Sequence, residues 1–232
     1  MRVAGSTKPM ERQKEQLYER LNTPSEGLVR EHCEVFDRDK WTSLTEKSAA
    51  QLFSLYPLNI CLSDVLIKVA VLNALYSTRI LAIESVARHI FNTPNLDARL
   101  AGGDVGVVNE IALVELESGP RNNISFASKY CSWHKPDIYP IYDLNVDEYL
   151  WVCQKRDQFS SFKRYELRDY PRFFKVMGEF RSFYKLGSFS FKEIDKFLWT
   201  EGGELLRNEW TKKSAEVPGA EAPSFPGGDS RA

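Results

Sequence analysis

Ser125-Phe-Ala-Ser-Lys129-Tyr-Cys-Ser-Trp133-His-Lys-Pro-Asp-Ile-Tyr-Pro-Ile-Tyr-Asp143 is the stretch on which the reading of the fold turns. Its first half carries no helix breaker, so Asn123–His134 reads as a helix. Pro136 and Pro140 then stiffen a loop from Lys135 to Ile141, and Asp143 stands where a second helix, running to Cys153, begins. On the first helix Lys129 shares a face with Phe126 and Trp133, three residues before it and four after. A lysine wedged among aromatic rings is desolvated, which disfavours its ammonium form, and a neutral amine is a nucleophile. Asp143 suits the free amides at the start of the second helix, and it equally suits a position facing Lys129 across the loop. The two uses are compatible.

Outward from this segment the pattern stays helical. Ser43–Leu55 carries Leu44, Ala49, Leu52 and Phe53 at helical spacing and stops before Pro57. A core helix apolar nearly all round runs from Ser63 or Asp64 to Tyr76, and an amphipathic one follows over Ala82–Phe91. After the loop around Gly102-Gly103 and Gly106, a helix is expected over Val107–Leu116, closed by Gly119-Pro120. Tyr170–Tyr184 follows with Pro171 in its first turn, and Ser190 with Glu193 makes a capping box for a last helix through Trp199. Strands are expected to be short and peripheral, so the class is all-α. Residues 1–9 read as a disordered N-terminus, with a solvated helix over Met10–Leu21. A helical domain covers 10–212, and an Ala-, Pro-, Gly- and Ser-rich tail, 213–232, reads as disordered.

The 232 residues are 43% hydrophobic and 27% charged, which suits an ordinary globular core. Lys and Arg number 31 against 32 Asp and Glu, for a formal charge of −1. A protein that grips long stretches of duplex through phosphates carries a basic excess. None exists here, so contact with nucleic acid is expected to be local. The best basic patch, Lys155-Arg156 with Lys163-Arg164, is blunted by Asp157 and Glu166. Cys33, Cys61, Cys131 and Cys153 form no C-x-x-C pair and lack companion histidines, so we expect free thiols, no metal and no cofactor. The longest apolar run, Val65–Leu75, is too short to span a bilayer. No signal peptide is read at the N-terminus, and the expected location is cytoplasmic, with no membrane partner.

The order of these features resembles the helix-hairpin-helix (HhH-GPD) DNA glycosylases of base excision repair, most of all the divergent bacterial 8-oxoguanine DNA glycosylase-like group. Ser125-Phe-Ala-Ser-Lys129 and Tyr139-Pro-Ile-Tyr-Asp143 carry the likeness, and Val71–Ile80 with the following helix is similar to the element that presents a wedge to DNA. The resemblance implies a helix-hairpin-helix fold and a lysine-dependent N-glycosylase, with AP lyase activity as an option, acting on a damaged purine such as 8-oxoguanine. Lys129 would attack the sugar C1′, and Asp143 would accept the lysine proton and stabilise the developing cation. Trp133, Phe197 and Trp199 would hold a flipped base, while Tyr76 and Arg79 would enter the space it vacates. DNA is the first partner the resemblance implies, and a protein partner is also compatible. Gly119-Pro-Arg-Asn-Asn-Ile124 departs from the family's Gly-x-Gly phosphate turn, and the spacing from Lys129 to Asp143 is shorter than usual. Two alternatives therefore stay open: a non-catalytic interaction module, and a glycosidase acting on free nucleotide or modified RNA. A bacterial antiphage or nucleotide-modification setting is implied by the resemblance alone.

Overall fold

The computed structural model describes residues 21–216, with side chains described to residue 207. The expected features over 1–20 and 217–232 lie outside the described residues. The described chain is built from helices, with one two-residue antiparallel ladder. In chain order the elements are α1 (Glu26–Arg38), α2 (Lys40–Leu55), α3 (Leu62–Tyr76), α4 (Ile83–Phe91), α5 (Leu96–Ala101), α6 (Gly106–Ala112), β1 (Leu113–Val114), β2 (Arg121–Asn122), α7 (Ile124–His134), α8 (Leu144–Asp157), a 3-10 turn (Arg164–Arg168), α9 (Tyr170–Phe183) and α10 (Phe191–Glu216). The all-α class holds.

α7 is the central element. From Phe126 to Ser132 every residue is buried, because α2, α3 and α6 pack around it. Its surroundings include Val65, Val69 and Leu72 of α3 and Val107, Val108 and Ile111 of α6, all without exposed surface. A second group of elements forms where α10 packs along α8 and α1, joined by α9 through the 3-10 turn. The loop 135–143 links α7 in the first group to α8 in the second. Buried tyrosines pin it: Tyr170 Oη donates to the Pro140 carbonyl at 2.7 Å, and Tyr139 Oη donates to the Asp104 carbonyl at 3.3 Å.

Several boundaries differ from those read off the sequence. The helix expected over Val107–Leu116 ends at Ala112, and Leu113–Val114 instead pairs antiparallel with Arg121–Asn122. Asn123 N closes this hairpin by donating to the Ala112 carbonyl at 2.8 Å. The last helix continues past Trp199 to Glu216. Gly202-Gly203 would stop a helix on composition, but a Cβ on Gly202 would lie 2.0 Å from the Asn145 carbonyl oxygen. The glycine is there so that α10 can cross the first turn of α8 at backbone contact. α1, capped by Ser25, whose side chain accepts from Leu28 N, is an element the sequence reading did not assign. In α3 the expected all-round burial is replaced by an outer face carrying Leu66 and Ile67, while Lys68 is completely buried.

Candidate active site

α7 and α8 meet at Lys129 and Asp143. The Lys129 amine donates to Asp143 Oδ2 at 3.4 Å and to Ser125 Oγ, one turn earlier, at 3.0 Å. Lys129 is 6% exposed, so its charge or lone pair is spent on protein groups or on a bound molecule rather than on bulk water. Asp143 divides its carboxylate between two tasks. Oδ1 accepts from Val146 N at 3.1 Å as the N-cap of α8, and Oδ2 faces the lysine. The cap fixes the rotamer, which in turn holds the second oxygen on the amine.

Ser128 sets the register of this arrangement. Its hydroxyl accepts from Tyr142 N at 3.0 Å and lies 3.2 Å from the Tyr142 carbonyl, so one side chain of α7 grips both polar atoms of the residue before Asp143. Ser125 and Ser128 were not distinguished as site residues by the sequence, where a serine without a neighbouring base carries no chemistry. Their role is geometric and visible only once the loop folds back.

The aromatic residues expected to hold the base (Trp133, Phe197, Trp199) or to enter the space it vacates (Tyr76) divide into two groups. Tyr76 and Trp133 stand at the site. The Tyr76 ring lies 5.9 Å from the Lys129 amine, and its hydroxyl accepts from Trp133 Nε1 at 3.1 Å. Burial raises the Tyr76 phenol far above its ordinary range, so it acts as a neutral hydroxyl. Trp133 stacks on Phe53 and carries the Lys192 amine over its face at 4.3 Å. Phe197, by contrast, is fully buried between His32 and Tyr149, where no ring face is left for a ligand. Trp199 packs edge-on against Phe36, and its carbonyl accepts from Asn145 Nδ2. Arg79 is exposed with a left-handed backbone (φ 60°), on the loop between α3 and α4. Leu81, two residues on, is 97% exposed, an apolar side chain in water that the sequence reading passed over.

α10 closes the site from the other side. Lys192 pairs with Glu46 of α2 at 2.7 Å, and Asp195, one turn further, lies within the electrostatic reach of Lys129 and Asp143. Asp195 is part-buried, with one carboxyl oxygen sealed from solvent. Its Oδ1 is buried with no hydrogen-bond partner among the described residues. Burial raises the Asp195 carboxyl to about 7; Lys192 opposes the shift, Asp143 adds to it, Lys129 opposes it and Glu46 adds to it.

A concavity of about 200 Å³, whose lining includes Phe53, Leu58, Asp97, Leu100, Trp133 and His134, borders the lysine site at Trp133 without reaching Lys129. His134 borders Phe53, Tyr130 and the buried Lys68 amine, and burial depresses its imidazole to about 3. Among the described residues no group of three or more His, Cys, Asp and Glu side chains is arranged to hold a metal ion. No described helix is long and apolar enough to cross a membrane.

The fold and site thus define an all-α protein with a buried lysine–carboxylate pair between two helices, backed by an acidic residue on a third. The family model HI_0787_N, described as an N-terminal domain, matches residues 28–138, a span that includes Lys129 and stops short of Asp143. A protein of Haemophilus influenzae, named "Uncharacterized protein", is 36% identical over 174 residues, covering 75% of this chain and 83% of the relative. The chain belongs to the family of that protein. No solved structure matches it.

Proposed function

We propose that the protein is a lysine-dependent N-glycosylase, with an associated lyase step, that excises a damaged purine such as 8-oxoguanine from nucleic acid. The observation that carries the reading is the Lys129 amine held 3.4 Å from the Asp143 carboxylate, both largely buried, at the start of a helix. Lys129 supplies the electron pair that attacks C1′, and Asp143 takes the proton the amine sheds and faces the positive charge that develops on the sugar. The Tyr76 ring stands beside the amine, with Trp133 bonded to its hydroxyl, as the aromatic neighbours a flipped base would meet. Leu81 at the tip of the α3–α4 loop is suited to enter an unstacked step, with Arg79 beside it for a phosphate. A cytoplasmic location belongs to the same proposal, and the four unpaired cysteines accord with it.

One feature favours a smaller or single-stranded substrate over long duplex. The segment before α7, where a Gly-x-Gly turn would offer amides to a phosphate, is instead the paired strand Arg121–Asn122. The basic patch is also spent internally: Arg156 pairs with Asp157, and Arg164 with Asp147 and Glu148.

The test is borohydride trapping on single- and double-stranded oligonucleotides carrying 8-oxoguanine, alongside assays of free nucleotide and modified RNA. A covalent adduct with the wild-type chain, reduced at least about 100-fold in Lys129→Gln, is expected. Absence of both adduct and released base on every substrate refutes the enzyme and leaves the non-catalytic interaction module.

A further inference from the structure

Asp195 is the one described side chain with a sealed polar atom that the folded protein leaves unanswered. Leaving a buried carboxyl oxygen without a partner is costly, and such a group persists where it serves something other than the fold. Its surroundings are mixed. Lys192 of its own helix, Asp143 at the start of α8, Lys129 of α7 and Glu46 of α2 all act on it electrostatically, and it acts in turn on the Tyr76 and Tyr170 phenols. Lys192 is already paired with Glu46 at 2.7 Å, and Lys129 with Asp143 at 3.4 Å, so neither cation is given over to Asp195. The backbone contact of Gly202 with Asn145 holds α10 against the very turn that Asp143 caps, which fixes Asp195 relative to the lysine.

We propose that Asp195 is the general acid of the same site, donating a proton to the base as it leaves. The proposal rests on the glycosylase reading above. A purine anion is a poor leaving group, and protonation in the transition state is worth about 10²–10⁴-fold. The electron pair of the C1′–N9 bond departs with the base as the Asp195 carboxyl proton passes to a ring nitrogen of that base. Lys129 first passes a proton to Asp143, the electron pair so freed forms the new C1′–N bond, and the proton that this nitrogen then sheds goes to water. Asp195 ends as a carboxylate and regains its proton from water after the base is released. The two carboxyls stand in different surroundings: Asp143 is capped by an amide and faces an amine, whereas one oxygen of Asp195 is sealed without a partner. The raised Asp195 carboxyl, at about 7, accords with a proton still present near neutrality.

The experiment separates the acid from the nucleophile. Wild type, Asp195→Asn and Lys129→Gln are each given two oligonucleotides, one carrying 8-oxoguanine and one carrying a preformed abasic site. Base release is followed on the first in single turnover, and borohydride trapping on the second. Trapping at an abasic site needs the lysine but no leaving group, so Asp195→Asn should keep it within about threefold while losing base release by about 100-fold or more. The wild-type rate of release should also fall as pH rises through about 7, a limb absent in the variant. Equal loss of both activities in Asp195→Asn, or loss of neither, overturns the assignment of the acid and leaves the glycosylase intact. A wild-type chain that releases no base and traps at no abasic site above Lys129→Gln overturns both.

Discussion

Asp143 and Asp195 illustrate how one residue type is set in different surroundings near Lys129. Asp143 is anchored by the Val146 amide and faces an amine, whereas Asp195 has burial and two further carboxylates against it. The consequence for stability follows from the sign of the shift. The folded chain holds the Asp195 proton up to about pH 7, while a solvated aspartate releases it near 3.8. Between those values the folded state carries the extra proton, so Asp195 makes stability fall as pH rises through that window. Asp195→Asn should therefore raise stability at pH 8 by on the order of 3 kcal/mol and change it little at pH 4, as read from denaturant midpoints at the two pH values. An unchanged or lower midpoint at pH 8 would contradict the raised carboxyl. A residue whose removal stabilises the fold is characteristic of a site retained for activity.

At the scale of elements, two connections hold the site in place. In the α7–α8 loop, Ser128 grips the Tyr142 backbone from below. Ser128→Ala leaves the Tyr142 amide without its acceptor and should cost about 1–3 kcal/mol in urea unfolding. If the register of Asp143 depends on it, trapping at saturating substrate should fall by about 10–100-fold with little change in substrate affinity. The α2–α3 connection is held by Lys68, whose amine donates to the Tyr56 and Leu58 carbonyls at 3.1 and 2.9 Å and to Asn59 Oδ1 at 2.7 Å. Burial depresses this amine to about 8, with Asp97 and Asp64 opposing the shift. Lys68→Met keeps the bulk but strands three acceptors, and chemical denaturation should show a loss on the order of 3 kcal/mol. Comparable stability in the methionine variant would mean that water replaces the amine.

These two connections also show how far local pattern reaches. The helix–loop–helix around Lys129 was legible because Pro136, Pro140 and an aspartate at the head of an apolar helix are signals within a few residues of each other. The end of α6 was not, since Leu113–Val114 becomes strand only through pairing with Arg121–Asn122. The length of α10 was hidden for a similar reason. Gly202 terminates a helix in isolation, and only the approach of Asn145 makes it a crossing point.

For the molecule as a whole, near-neutral charge and internally paired arginines limit how strongly a polyanion is held. If nucleic acid is the substrate, binding should involve about two phosphates, so anisotropy titrations between 50 and 200 mM salt should show a loss of only about tenfold. A much steeper dependence would mean that a basic surface forms outside the described residues.

The sequence by itself determined that this chain is helical, that a lysine on one helix and an aspartate opening the next stand on either side of a stiff loop, and that no basic excess accompanies them. Such features depend on neighbours a few positions apart, where periodicity and turn chemistry act. Tertiary structure alone decided that Phe197 is core rather than surface, that Tyr76 and Trp133 stand by the amine, and that Asp195, from a helix distant in sequence, lies within electrostatic range of it. Those outcomes depend on which helix faces pack together, and a side chain's desolvation is set by neighbours that the order of residues does not name.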